Sequence, residues 1–423
     1  MTMISKIDNQ ALDAEAERIL RLNDKGTYTV PTHGLYPYQW NWDSAITALG
    51  WAEIDLDRAW TEIETLMASQ WDSGMVPHII FHVPDDSYFP GPDVWQGRGP
   101  VPSSGITQPA VAASMVRRIL AQDPGQADRM RALYPKFRAW HAWYMAWRRD
   151  TRGAIVTTHP WESGRDNAPE WDRQFAAINP VGVGEYQRRD TGHVDPSMRP
   201  TKFEYDRYIY LVQEGAKCDW NDAAVADLPF RVSDPTMTFL FLRAHRDLFE
   251  MGGELGLETE GMAQDLTQLE AGARSLWNDD IGSYDGRDAD SGEFRQCLSN
   301  ASYLCWFAGV GTARQRAHLN AVLDRLPFGI PSHDPGSPNF DAKRYWRGPT
   351  WAFINMLVGM GLADAGETAL AQRVQRVTRD LIAANGFSEY FDPTDGSPAG
   401  GTSFSWTAAV WLAWARHAVD DAV

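Results

Sequence analysis

Twelve consecutive residues, Trp161-Glu162-Ser163-Gly164-Arg165-Asp166-Asn167-Ala168-Pro169-Glu170-Trp171-Asp172, gather four carboxylates, two tryptophans and an arginine around a glycine. The run is too broken for a helix, and its residue types suit a sugar. Aromatic faces stack on the C–H faces of a pyranose, and carboxylates and arginine bind its hydroxyls. A carboxyl held against apolar rings can have its pKa raised enough to act as a general acid. Taken alone, the segment is read equally well as a solvated surface loop anchored by its tryptophans.

Other segments carry the same mixture: Tyr36-Pro37-Tyr38-Gln39-Trp40-Asn41-Trp42-Asp43-Ser44; Gln70-Trp71-Asp72; Tyr88-Phe89; Ser104-Gly105-Ile106-Thr107-Gln108; Tyr345-Trp346-Arg347-Gly348-Pro349-Thr350-Trp351; and Phe387-Ser388-Glu389-Tyr390-Phe391-Asp392 with Phe404-Ser405-Trp406. Glycoside hydrolysis needs two carboxyl groups on opposite sides of the scissile bond, one to protonate the leaving oxygen and one as base or nucleophile. Asp166 and Glu389 are the best candidates. Glu162, Glu170 and Asp172 compete with Asp166, and Asp392 with Glu389. No phosphate-binding Gly-x-x-x-x-Gly-Lys-Ser/Thr loop, no dinucleotide glycine motif and no His-Glu-x-x-His is present, and the ten histidines show no ligand spacing. No metal or cofactor is expected. His78 is the one histidine placed near the site, with a structural role.

The elements that must position these residues follow from hydrophobic periodicity. Apolar residues at steps of three and four mark amphipathic helices around 9–22, 59–67, 126–149, 262–276, 312–325 and 370–381. Between them lie segments apolar nearly all round, at 42–52, 109–119, 236–242, 299–310, 351–362 and 404–414, which read as buried helices. Pro109 and Pro349 stand where first helical turns are expected. Buried and amphipathic helices in alternation predict an all-α fold, an (α/α)6 barrel of inner and outer helices; an open α-solenoid is the alternative. In the closed form the loops entering the inner helices converge on one mouth, and five of those six entries carry the segments quoted above. The whole chain, 1–423, is expected to form one catalytic domain, with insertions at about 71–106 and 151–232 capping the mouth.

Thirty-nine basic against 56 acidic residues give a net charge of −17, which disfavours a nucleic acid or an anionic membrane as partner. Cys218, Cys297 and Cys305 are odd in number and have no Cys-x-x-Cys spacing, so neither a disulfide framework nor a zinc cluster is indicated. Residues Met1 to Asp8 turn polar before an apolar run of signal-peptide length forms, and no later run approaches a membrane span. A cytoplasmic protein acting on a small molecule is expected, with homo-oligomerisation left open.

These motifs resemble glycoside hydrolase family 63, in particular its bacterial mannosylglycerate and glucosylglycerate hydrolase branch, and more distantly the trehalases. The resemblance runs from about Tyr36 to Trp414. It implies an inverting glycosidase in which Asp166 is general acid and Glu389 general base, separated by roughly 6.5 to 9.5 Å to admit the attacking water. It further implies that Trp40, Trp42 and Asp43 hold the sugar and that Tyr36, Tyr88, Gln108 and Arg207 hold glycerate. Gln70, Trp71, Asp72, Gly164, Tyr345, Trp346, Trp351 and Trp406 complete the expected substrate contacts. The implied substrate is a small α-linked compatible solute, glucosylglycerate or mannosylglycerate. A trehalase-like hydrolase of a neutral disaccharide or glucosylglycerol is the nearest alternative, and a non-catalytic sugar-binding toroid the alternative from another class. Arg165 has no assigned role.

Overall fold

The computed structural model describes residues 9–192 and 194–420; the reading of Met1 to Asp8 lies outside the described residues. Six inner helical segments and six outer helices alternate along the chain. The inner ones are Asn41–Ala52, Ala112–Gln122, Pro235–Glu254, Asn300–Tyr303, Ala352–Asp364 and Ser405–Ala413. The outer ones are Asn9–Asn23, Leu56–Ala68, Ala127–Trp147, Met262–Ser275, Ala313–Arg325 and Thr368–Asn385. Five hairpins run inner to outer in sequence. The sixth pairs the last inner helix with the first outer one, so the two ends of the chain complete the ring.

The residues account for the layering. The first inner helix, NWDSAITALGWA, is buried at every position, which demands neighbours all round. Leu56–Ala68 buries Ala59, Trp60, Ile63, Leu66 and Met67 on one face, and its N-cap Asp55 accepts from the Arg58 amide at 2.9 Å. The closure separates a toroid from an open solenoid. Gly50 of the first inner helix lies so close to the backbone of Ala409 in the sixth that a Cβ would collide with it. The fold is the (α/α)6 barrel expected.

Three local expectations are corrected. The second and fifth inner helices start at Ala112 and Ala352, three residues after Pro109 and Pro349. Thr350 is held extended because its amide and carbonyl exchange bonds with Phe391, at 2.8 and 2.9 Å. Among the inner helices it is the third that a proline opens, Pro235, behind its N-cap Asp234. The fourth inner segment is one helical turn, after which i→i+3 bonds such as Gly309 N–H to Trp306 O at 3.0 Å continue it. A further helix, Lys202–Lys217, lies in the long segment before the third inner helix, and Thr201-Lys202-Phe203-Glu204 forms its capping box. Among the described residues no helix is long and apolar enough to cross a membrane.

Candidate active site

The N-terminal ends of the inner helices gather around one pocket. Its walls include Tyr36, Trp40, Trp42 and Asp43 from the first entry, and His78, Tyr88, Phe89 and Gln108 from the second. The third entry supplies Trp161, Gly164, Asp166, Asp190, Arg199 and Tyr205, the fifth Tyr345 and Trp346, and the sixth Glu389, Phe404 and Trp406. The fourth entry supplies no lining side chain.

Within Trp161–Asp172, arginines dispose of the rivals to Asp166. Glu162, fully buried, pairs with Arg148 at 3.0 Å and accepts from the Thr158 amide at 2.7 Å. Glu170 takes both terminal nitrogens of Arg165, at 2.9 and 2.8 Å. Asp172 is bidentate with Arg347, at 2.8 and 2.7 Å. Asp392 turns back onto Thr394, whose amide it accepts at 2.8 Å. Asp166 alone of the four carboxylates in the loop faces the pocket.

Arg165 thereby acquires a role. It is fully buried, 3.7 Å from Asp234, the cap of the third inner helix, and its carbonyl accepts from Trp171 Nε1 at 2.6 Å. It ties the acid-bearing loop to the ring. On the other side, Tyr208 donates to the Asp166 carbonyl at 2.7 Å, and Asn167 Oδ1 accepts from the Trp346 amide at 3.0 Å. Gly164, with φ +69°, packs where a Cβ would run into the Trp42 ring.

Glu389 lies at the start of a two-stranded hairpin in which Tyr390 and Phe391 pair with Ala399 and Pro398. Its Oε2 accepts from the Gly401 amide at 2.8 Å and its Oε1 from Tyr36 Oη at 3.1 Å. Arg199 Nη1 lies 3.4 and 3.5 Å from the two carboxylate oxygens, and Trp406 Nε1 donates to the Glu389 carbonyl at 3.1 Å. Arg199 also donates to Tyr36 Oη, lies 3.4 Å from Asp190 and stands 4.4 Å over the Tyr345 ring. Asp190 is itself gripped by Arg188 at 2.6 Å.

Burial pushes the Asp166 carboxyl up to about 8; the charge of Arg199 works against the rise, while Glu389 and Asp190 add to it. Burial, reinforced by Glu389, also raises Asp43 well above the usual carboxylate range. Burial, with His159 nearby, holds His78 well below the usual imidazole range. It lies 3.0 Å from Ser104 Oγ and stacks at 21° to Trp161, a structural placement in the wall. An acid protonated at neutral pH and a second carboxylate in the same pocket can perform general acid and base chemistry on a glycosidic bond.

Of the expected contacts, Asp166, Glu389, Tyr36, Trp40, Trp42, Asp43, Tyr88, Gln108, Gly164, Tyr345, Trp346 and Trp406 are brought together. Five others are not. Gln70 donates to the Gly74 and Lys136 carbonyls, both at 2.8 Å, and so fastens a turn to an outer helix. Trp71 is buried with its Nε1 on Ser103 Oγ at 3.0 Å, and Asp72 is exposed on the following turn. Trp351 stacks behind Trp346 at 3.9 Å and 5°, supporting the wall without lining it. Arg207 faces away, because the helical phase of Lys202–Lys217 turns it outward. Its guanidinium lies 3.5 Å over Phe203 and donates to the Phe203 carbonyl at 2.8 Å.

The cation that does line the pocket is Arg199, which sequence reasoning missed together with Asp190 and Tyr205. The legible signals were a local excess of arginine at Arg188, Arg189 and Arg199 in an acidic chain, and the helix start at Thr201. Among the described residues no cluster of His, Cys, Asp or Glu is arranged to hold a metal ion.

A family model described as the mannosylglycerate hydrolase MGH1-like glycoside hydrolase domain matches residues 36–407. The mannosylglycerate hydrolase MGH1 of Selaginella moellendorffii is 44% identical over 419 residues, covering 96% of this chain and 85% of its own. The glucosylglycerate hydrolase of Mycolicibacterium hassiacum is 34% identical over 439 residues, covering 95% and 97%. A crystal structure of the family 63 mannosylglycerate hydrolase of Thermus thermophilus, in complex with Tris and D-glycerate, superposes with a TM-score of 0.91. The identity there is 40%, over 95% of this chain and 99% of that one.

Proposed function

Because the chain belongs to the mannosylglycerate hydrolase MGH1-like family of glycoside hydrolases, we propose that it cleaves a small α-linked hexosyl glycerate, glucosylglycerate or mannosylglycerate. The products are free hexose and glycerate, formed with inversion at the anomeric carbon. Asp166 gives its proton to the glycosidic oxygen as the C1–O bond breaks. Glu389 takes a proton from the water whose oxygen bonds C1 from the opposite face. Exchange with solvent returns the proton to Asp166 and removes it from Glu389. Trp40, Trp42, Asp43, Trp346 and Trp406 surround the sugar; Tyr36, Tyr88, Gln108 and Arg199 take the glycerate, with Arg199 in the place first given to Arg207.

The observation that carries this reading is Arg199. Four carboxylates, Asp43, Asp166, Asp190 and Glu389, line the pocket, and Arg199 is the one lysine or arginine among its lining residues. A carboxylate entering a chain of net charge −17 requires such a fixed fork. The segments at about 71–106 and 151–232 act as a cap within one catalytic domain; the stacking of Phe89 on Tyr186 at 5.4 Å, and the bond from Tyr205 Oη to the Phe89 carbonyl at 3.1 Å, support this.

The test is a panel of glucosylglycerate, mannosylglycerate, glucosylglycerol, trehalose and kojibiose, with the first-released anomer followed by proton NMR. The β-anomer from a hexosyl glycerate is expected. Preference for a neutral disaccharide overturns the substrate, and an α-anomer overturns inversion.

A further inference from the structure

Arg199 stands between two carboxylates and is bound closely by neither. Its Nη1 lies 3.4 and 3.5 Å from the two Glu389 oxygens, and its Nε 3.4 Å from Asp190. A charge-assisted N–H···O⁻ bond is ordinarily about 2.7–2.9 Å long. Each carboxylate has closer partners of its own. Asp190 takes Arg188 at 3.0 and 2.6 Å, and Glu389 takes the Gly401 amide at 2.8 Å and the Tyr36 hydroxyl at 3.1 Å.

The guanidinium donates to Tyr36 Oη and lies 4.4 Å from the centre of the Tyr345 ring and 5.7 Å from that of Tyr36. Ring faces give a cation a place without fixing which way its N–H groups point. Arg199 is only 3% exposed and Glu389 1%, so little water screens one from the other. A cation beside a carboxylate favours its ionised form. Arg199 therefore opposes the transfer of a water proton to Glu389, the step that the base has to perform.

A substrate carboxylate presents two oxygens in line with the guanidinium fork, a better match than any of the contacts at 3.4 or 3.5 Å. We propose that Arg199 couples recognition of the aglycone to the base: when the glycerate carboxylate engages it, the guanidinium shifts away from Glu389, which becomes a stronger acceptor for the proton of the attacking water. The inference rests on the reading of the site under Proposed function. A neutral aglycone leaves Arg199 on Glu389, so the charge of the substrate itself brings the base into play.

An α-hexosyl fluoride allows the two halves of the substrate to be supplied separately, because fluoride fills little of the aglycone space. Its C1–F bond breaks with the electron pair going to fluoride, while the water oxygen bonds C1 and a water proton passes to Glu389. D-Glycerate is expected to raise kcat on the fluoride of the preferred hexose about three- to tenfold in wild type, the gain given by a moderately stronger base. Glycerol, which lacks the carboxylate, gives no such gain. In Arg199→Gln the ratio of rates with and without D-glycerate falls to one, and Arg199→Lys, which keeps the charge but not the fork, recovers part of it. No acceleration by D-glycerate in wild type, equal acceleration by glycerol, or an undiminished ratio in Arg199→Gln overturns the coupling. The wild-type comparison decides even where Arg199→Gln does not fold. Inhibition of hexosyl glycerate cleavage by D-glycerate separates the two levels of inference. Competitive inhibition without acceleration refutes the coupling and leaves the substrate reading standing, whereas absence of inhibition removes both.

Discussion

Asp166 and Glu389 carry the same functional group and line the same pocket, yet their surroundings differ in kind. Glu389 is met by an arginine, a tyrosine hydroxyl and a backbone amide, donors matched to the oxygens of a carboxylate. Asp166 sits in a loop whose other carboxylates take up Arg148, Arg165 and Arg347, and burial leaves it at about 8. In the proposed mechanism the assignment of acid and base thus rests on where arginine has been placed, since Asp and Glu are chemically near-equivalent.

The sharpest way to break this contrast is to neutralise each group. Asp166→Asn and Glu389→Gln are each expected to lower kcat on a hexosyl glycerate by about 10²- to 10⁴-fold. An activated aryl hexoside should recover activity in Asp166→Asn alone, because a good leaving group needs no proton; equal recovery in both variants would reverse or void the assignment. Next in size is Arg165→Met, which strands Glu170 and Asp234 in the interior and should cost about 3–5 kcal/mol of stability, read as a fall in the urea midpoint. A midpoint within error of wild type would remove Arg165 from its anchoring role.

Arg199→Gln should lower kcat/KM for the hexosyl glycerate about 10²-fold, as expected for losing a buried charge partner, and spare a neutral aryl hexoside by comparison. Arg207→Ala should change both by less than about twofold, as is usual for a side chain outside the site. The reverse order would restore Arg207 and dismiss Arg199. Last, the general acid must be protonated to act, so the alkaline limb of kcat/KM should begin at about pH 8 and fall tenfold per unit above it. Asp190→Asn removes one negative charge that raises Asp166 and should move that limb to lower pH, an effect measurable in the same profile.

The sequence alone determined the two layers of helices, because six segments apolar on every face and six apolar on one face leave few ways to bury both; that the layers close into a ring was decided by the packing of the first inner helix on the sixth. It also determined which entries carry chemistry, since aromatic rings beside carboxylates are visible as letters. Only the tertiary structure decided which carboxylate is free. Glu162, Glu170 and Asp172 are equivalent to Asp166 in the sequence, and they are eliminated by Arg148, Arg165 and Arg347, of which Arg347 arrives from a distant inner-helix entry. The same holds for Arg199 and Arg207. They lie eight residues apart in the sequence, one just before a capped helix and the other on it, and the phase of that helix turns the second away while the loop carries the first onto Glu389. Periodicity depends on local spacing and survives in a linear string; charge pairing depends on distance in space, which the chain acquires only when the ring closes.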